Sequence, residues 1–262
     1  MILRFLSSYR KLHYTKRQWA EDGVVKIESL TNKTMEGALK VIRDSFFKTE
    51  PLCKAVGLLE EPGAAEELMQ TCYDAAKDGV TLVASDTSTN EIIGVVFNKI
   101  QVTIPKEENY YEKLRRNCKH RSVRAFLDFS IDLEMKANIH QRYDTNCFIE
   151  VMYLATLPDF KHKNVGSLLG LCTYDLGKKL FNGEDVKTPL SNNEDITNFE
   201  AIPNLLVALT TSKYTQRMGV KFGYEKVVEV RYDDYSYNGK SFRESIGDEH
   251  QTCQVLVKRL DK

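Results

Sequence analysis

Metal and disulfide scaffolds have no signature in this chain. Its six cysteines (Cys53, Cys72, Cys118, Cys147, Cys172 and Cys253) never form a Cys-x-x-Cys pair, which excludes a zinc knuckle and a compact disulfide framework and leaves reduced thiols as the expectation. The five histidines (His13, His120, His140, His162 and His250) never fall at the spacing that sets two imidazoles on one helix face, so no metal is expected. Neither sign of charge dominates: 37 Lys plus Arg balance 37 Asp plus Glu, and a chain without a net field is disfavoured as a nonspecific nucleic-acid binder. Long apolar runs are missing too. The longest, Ile92 to Phe97 and Leu205 to Leu209, fall far short of the roughly 18 residues of a membrane span.

What is present is core-forming material: 42% hydrophobic and 10% aromatic residues over 262 positions, enough for a sizeable core. Met1 to Ala20 carries no acidic residue, and its basic and apolar residues interleave. Residues 1–22 are therefore expected to be a basic leader, with a cytoplasmic location preferred and a mitochondrial presequence as the alternative.

Val24 to Leu30 has strand composition, and Met35, Ala38, Leu39, Ile42 and Phe46 then recur at helical steps. That helix must stop near Glu50, because Pro51 pushes the residue before it out of the helical region. A helix after Pro62 is expected to turn Leu68, Met69, Cys72, Tyr73 and Ala76 inward and to end at Gly79. Residues 80–85 and 92–98 read as an antiparallel hairpin, with Gly94 marking a bulge or a close backbone approach. Two helices are expected over residues 105–142. The run CFIEVMYLAT (147–156) reads as a strand buried on both faces, followed by a basic loop and a helix from Val165. Residues 182–203 are polar and unpatterned, a loop or mobile insertion. A buried strand at Leu205 to Leu209, a capped helix over 210–224 and two further strands complete a single α/β domain spanning 23–262.

The loop Lys161, His162, Lys163, Asn164, Val165, Gly166, Ser167 leads basic side chains into a helix N-terminus, where free N–H groups and the peptide dipoles favour phosphate. Its bland reading is a solvated turn. This stretch resembles the pyrophosphate loop, Arg/Gln-x-x-Gly-x-Gly/Ala, of the GNAT superfamily of N-acetyltransferases. Lys161 stands for the Arg or Gln, and Asn164 stands where the first glycine belongs; Asn is the side chain that best tolerates positive φ. Three further blocks, SFFKTEPL (45–52), TTSKYTQRMGVKFGY (210–224) and RYDDYSYNGKSF (231–242), resemble the insect arylalkylamine N-acetyltransferases.

The resemblance implies a GNAT fold, a mixed central β-sheet flanked by α-helices whose splayed strands cradle acetyl-CoA. It also implies transfer of acetyl to the primary amine of a small substrate by direct attack in a ternary complex. Arylalkylamines of the dopamine, serotonin and tyramine type come first as acceptors, with polyamines or agmatine as the alternative. Glu50 aligns with the family's general base, a role a carboxylate can fill because the acceptor amine must lose a proton before attack. Glu150, on the buried strand, is the rival base or an acceptor-site residue. Thr211 and Thr215 fall where the family carries two hydroxyls, against the plain reading of a helix cap and a surface threonine. Tyr214 is the expected proton donor to the leaving thiolate, or else a core aromatic. The backbone N–H groups of Leu154, Ala155 and Thr156 would meet the acetyl carbonyl and pantetheine arm, and Phe46 and Phe47 would wall the amine pocket, with a core role expected of at least one of the two. Two other readings share the fold: a catalytically weak acyl-CoA sensor, for which Asn164 and the threonines speak, and an acetylase of protein lysines.

Overall fold

The computed structural model describes residues 17–21, 23–104 and 107–261, and for residues 161–163 the backbone alone. The chain opens with strands β1 (Gln18–Glu21) and β2 (Val25–Ser29), helices α1 (Asn32–Val41), α2 (Pro51–Ala55) and α3 (Ala64–Ala76), and the hairpin β3 (Leu82–Asp86) and β4 (Ile92–Val102). Helices α4 (Tyr110–Asn117), α5 (Arg121–Ala137) and α6 (Ile139–Tyr143) follow, then β5 (Cys147–Thr156), α7 (Val165–Phe181), β6 (Leu205–Thr210), α8 (Lys213–Lys221) and β7 (Glu225–Arg231). The tail adds the short strands β8 (Ser236–Tyr237) and β9 (Lys240–Ser241), α9 (Phe242–Ile246) and β10 (Thr252–Arg259).

One eight-stranded sheet runs in the order β1-β2-β3-β4-β5-β6-β10-β7. Every neighbouring pair is antiparallel except β5 and β6. Strand β5 has the bounds its apolar run implied, because both of its faces are covered. On one face Phe148 and Tyr153 pack with Leu39, Leu68 and Phe126 from α1, α3 and α5. On the other, Ile149 packs with Val165, Leu169 and Leu176 of α7. Gly94 admits both sequence readings: the ladder slips between Ala84 and Ser85 opposite it, and a Cβ there would stand 2.9 Å from Val165 Cγ1.

Helix α1 stops where Pro51 requires, by a less regular route. It passes into a π-helical turn, Ile42–Phe46, and one further turn, Phe47–Thr49, before Glu50 leaves the helical region at ψ 127° and caps α2. Such π-turns concentrate at functional sites.

Four expectations change. Gln18–Glu21 pairs with β2, so the sheet begins inside the stretch read as a leader; residues 1–16 and 22 lie outside the described residues. Tyr73, expected inside, is 38% exposed, since it sits at the margin of a stripe already filled by Leu68, Met69, Cys72 and Ala76. Residues 105–142 hold a third, short helix, α6, restarted by Asn138 at φ 43°. Residues 183–203 have neither helix nor strand, yet the loop is tied down: buried Lys187 donates to the carbonyls of Asn198, Phe199 and Ala201 at 2.5, 2.8 and 3.1 Å, and Asn198 Nδ2 reaches Asp78 and Ile100. Among the described residues no helix is long and apolar enough to cross a membrane, and no group of three or more His, Cys, Asp or Glu is disposed to hold a metal.

Candidate active site

Strands β5 and β6 share three residue pairs, Ile149 with Leu206, Glu150 with Val207 and Val151 with Ala208. Beyond these the strands part, although each stays bonded to its outer neighbour: Thr156 pairs with Gly94 of β4 and Thr210 with Gln254 of β10. A local cause is visible. The β4–β5 ladder slips where Phe97 pairs with Tyr153 and Asn98 with Val151, so Met152 is an extra residue that bends β5 at the level where it leaves β6. Leu157 N–H donates to Ile93 O at 2.8 Å. Successive residues of a strand direct their N–H groups to opposite sides, so Ala155 also addresses β4 while Leu154 and Thr156 turn theirs into the gap. Of the three residues expected to offer N–H groups there, Ala155 is therefore already used.

The π-turn segment straddles the open end of this gap. On the β5 side Ser45 Oγ donates to Thr156 O at 2.7 Å. On the β6 side the Thr211 side chain, the residue after the strand, stands beside the Glu50 carboxylate and favours its charged form. Glu50 is 7% exposed. It caps α2 by accepting from Cys53 N–H at 2.6 Å. Burial raises its pKa, and the donors Thr211, Cys53 and Leu52 only partly offset this. Buried Tyr232 donates to Thr211 O at 2.7 Å and fixes the loop that meets Glu50.

Thr211 is thus engaged with Glu50 and is not the cap of α8. That position falls to Ser212, extended at φ −112° and ψ 148°, whose hydroxyl accepts from Thr215 N–H at 3.2 Å. Thr215 Oγ1 lies 3.0 Å from Ser212 Oγ.

Two hollows flank the parted strands. Behind the sheet, a cleft is lined by Val151 and Leu154 of β5, Gly170 and Thr173 of α7, and Thr215, Met218 and Phe222 in or beside α8. Helix α7 begins near its mouth at Asn164, which is left-handed at φ 55° and ψ 18°. The glycine replacement is accommodated, as Asn permits. The first turn, Val165, Gly166 and Ser167, carries no acidic residue, and Val165 itself is buried against Gly94, so it can serve an anion through its backbone alone. Lys161, His162 and Lys163 lie on the preceding turn, their side chains outside the described residues.

In front of the sheet, a cavity is lined by Tyr111, Phe126, Glu134, Phe148, Glu150, Met152 and Tyr153, with Val207, Leu209 and Val255 as part of its floor. Glu150 faces this cavity rather than the gap mouth, and accepts from Tyr111 Oη at 2.5 Å and Gln101 Nε2 at 2.6 Å.

Phe47 takes the core role expected of at least one of the pair, at 3% exposure, and Phe46 packs edge-on against Tyr153, a residue of the cavity lining, with ring centroids 4.9 Å apart; neither phenylalanine lines the cavity itself. Tyr214 is 58% exposed and donates to Glu249 at 2.5 Å, away from both hollows, because the turn of α8 that directs Thr215 into the cleft directs its neighbour outward. Sequence reasoning missed Ser45, Tyr232, Ser212 and Glu134. Of these Glu134 had a signal: it falls on the inward stripe Phe126, Ser130, Glu134, Ala137 of α5 at steps of four, four and three.

A mixed sheet parted beside its one parallel pair, with a helix N-terminus behind it, is the fold that the sequence resemblance implied, and comparison with solved structures bears out that fold. Arylalkylamine N-acetyltransferase 2 from Aedes aegypti matches with a TM-score of 0.72 at 20% identity, over 90% of this chain and 99% of that one. A mosquito arylalkylamine N-acetyltransferase-like protein, 5b, matches at 0.69 and 17% over the same shares. The Drosophila melanogaster polyamine N-acetyltransferase, an enzyme that forms N-acetylagmatine, matches at 0.68 and 17%, again over 90% and 99%. At these identities the likeness is one of fold. No model of a known protein family matches the chain.

Proposed function

We propose that this protein is an acetyl-CoA-dependent N-acetyltransferase that acetylates the primary amine of a small molecule by direct attack in a ternary complex. The observation that carries the reading is the parting of β5 and β6 with Glu50 and Thr211 across its open end. Acetyl-CoA enters as a substrate: its pantetheine arm suits the rear cleft, its pyrophosphate the first turn of α7, and its thioester carbonyl the N–H groups of Leu154 and Thr156.

Glu50, ionised, takes a proton from the acceptor's ammonium group. The freed lone pair attacks the thioester carbonyl, the C–S bond breaks, and the leaving thiolate takes up the second proton that the attacking nitrogen sheds as it becomes an amide. Thr215, which lines the rear cleft, is better placed than Tyr214 to hydrogen-bond that sulfur. A covalent acetyl-cysteine is disfavoured. Cys53 and Cys253, the thiols that feel Glu50, are buried, and burial together with that carboxylate pushes their pKa values well up. Asn164, left-handed at φ 55° as the loop's first glycine would be, supports a loop that folds without that glycine and so favours the enzyme over a non-catalytic sensor.

The front cavity takes the acceptor. Its aromatic lining, Tyr111, Phe126, Phe148 and Tyr153, supports an arylalkylamine. Its two carboxylates, Glu134 and Glu150, support the second reading, a polyamine or agmatine. The test is release of coenzyme A thiol from acetyl-CoA against dopamine, tyramine, serotonin, histamine, agmatine, spermidine and a lysine peptide. Turnover of a small amine is expected. Turnover of the peptide alone, or acetyl-CoA that neither turns over nor binds, would overturn the proposal.

A further inference from the structure

Tyr232 is a buried phenol in a place where a phenylalanine would pack as well. It is 0% exposed and its ring stacks on Phe129 of α5, centroids 6.4 Å apart at 28°, while Phe129 in turn meets Tyr235 and Phe242 at 4.7 and 5.5 Å. A hydroxyl taken into such aromatic surroundings is costly unless it is bonded. This one donates to Thr211 O at 2.7 Å. The reach is long: Tyr232 follows β7, Thr211 follows β6, and β10 lies between those two strands. The phenol therefore crosses the end of β10 to grip the main chain of the residue that stands beside Glu50.

The groups that favour the charged form of Glu50 differ in origin. Cys53 and Leu52 belong to the helix that Glu50 itself caps, so they travel with it. Thr211 comes from the far side of the gap, and the β6–β10 ladder ends one residue before it, at Thr210 and Gln254. Tyr232 supplies a tie just past that end. Cys53, Cys253 of β10 and Tyr232 itself all feel the Glu50 charge, but burial raises the pKa of each, so all three stay neutral and none supplies a counter-charge. The ring of Tyr232 is seated on α5, whose Phe126, Ser130 and Glu134 line the front cavity. One side chain thus joins the wall of that cavity to the neighbour of the base.

We infer that Tyr232 is a positioning residue of the reaction: its phenol, holding the Thr211 main chain from across β10, keeps the Thr211 side chain beside the Glu50 carboxylate. Tyr232 lines neither hollow and acts through Thr211. The inference rests on the acetyltransferase reading for its kinetic consequences and on the contacts themselves for the placement.

Tyr232→Phe removes the hydroxyl and keeps the ring. On the full chain, with acetyl-CoA and the amine turned over fastest, kcat should fall about tenfold with the KM for acetyl-CoA unchanged. The loss should be greater at pH 6 than at pH 8, because a carboxylate deprived of a donor keeps its proton to higher pH. Thr211→Val should cost as much, Thr211→Ser should stay close to the parent, and adding Tyr232→Phe to Thr211→Val should cost nothing more. Tyr235→Phe is the control for packing: it takes a phenol from the same aromatic group, but one that serves Asp132 and Lys136, so its pH profile should match the parent's. Equal losses in Tyr235→Phe and Tyr232→Phe, or additive losses in the double variant, would overturn the inference. A second readout needs no turnover. The side-chain carboxyl carbon of Glu50, followed by NMR in the full chain carrying isotope-labelled glutamate and assigned by its loss in Glu50→Gln, should titrate at higher pH in Tyr232→Phe than in the parent. An unchanged midpoint overturns the inference even in an active enzyme, whereas a raised midpoint in a protein that acetylates no amine supports the placement while the acetyltransferase reading falls.

Discussion

Glu50 and Glu150 are both buried glutamates whose pKa values burial raises, yet the fold sets them in different surroundings. Glu150 sits inside a strand, level with the last residues where β5 and β6 remain paired, and its partners are side chains on β4 and α4. Glu50 sits where a helix breaks at a proline, beyond the point where the strands part, and its partners include backbone N–H groups and a loop hydroxyl. Burial alone therefore does not mark a base. What distinguishes Glu50 is its place beside Thr211, just past the end of β6, where β5 and β6 are no longer paired.

The comparison breaks or sharpens in order of expected effect. Glu50→Gln should lower kcat/KM by about 10²- to 10⁴-fold, the usual range for a general base, with little change in acetyl-CoA affinity by calorimetry. In the parent, kcat/KM should fall as pH drops through the raised Glu50 pKa, because the protonated acid cannot accept the ammonium proton; a Glu50→Gln enzyme that keeps this acid limb would remove Glu50 from the role. Glu150→Gln should cost about tenfold, through KM, and should retain the acid limb; loss of the limb here instead would exchange the two assignments.

Stability sharpens the same contrast. The folded state holds Glu134 at a pKa of about 8, above its ordinary 4.5. It binds the proton more tightly than the unfolded chain, so stability is lost as pH rises from about 4.5 to about 8. Glu134→Leu should therefore raise Tm by about 5 °C at pH 8 and by less at pH 5, a gap read by calorimetric melting. The smallest effect is expected at Tyr214→Phe, with kcat within about twofold of the parent, because its hydroxyl serves Glu249 at the surface; a tenfold loss would restore it as the proton donor.

Much of this arrangement was legible before any coordinates. Strand β5 announced itself because a strand covered on both faces must be apolar at nearly every position. The break at Glu50 followed from the stereochemistry of Pro51, and the left-handed residue at Asn164 from the tolerance of Asn. The rest depends on relations between distant segments. The bend at Met152 exists only in register with β4, and a threonine reads as a cap until the carboxylate that claims it is brought in from elsewhere, as with Thr211. Tyr214 was misplaced because one residue along a helix turns a side chain by about 100°, which a matched sequence block does not report. The hairpin β8–β9 went unread although Asn238 and Gly239, both at positive φ, form the dipeptide that favours such turns.

The clasp between Ser45 and Thr156 joins residues 111 positions apart in the chain, and the partner of Glu50 lies further away still. Strands β1 to β5 come from the amino-terminal part of the chain, and β6, β7 and β10 from the carboxy-terminal part, with three residue pairs between β5 and β6 as the seam. Contacts of such long sequence separation slow folding. The surroundings of Glu50 are complete only when the two sections dock, and a chain released before β6 is made would carry Glu50 without Thr211 beside it.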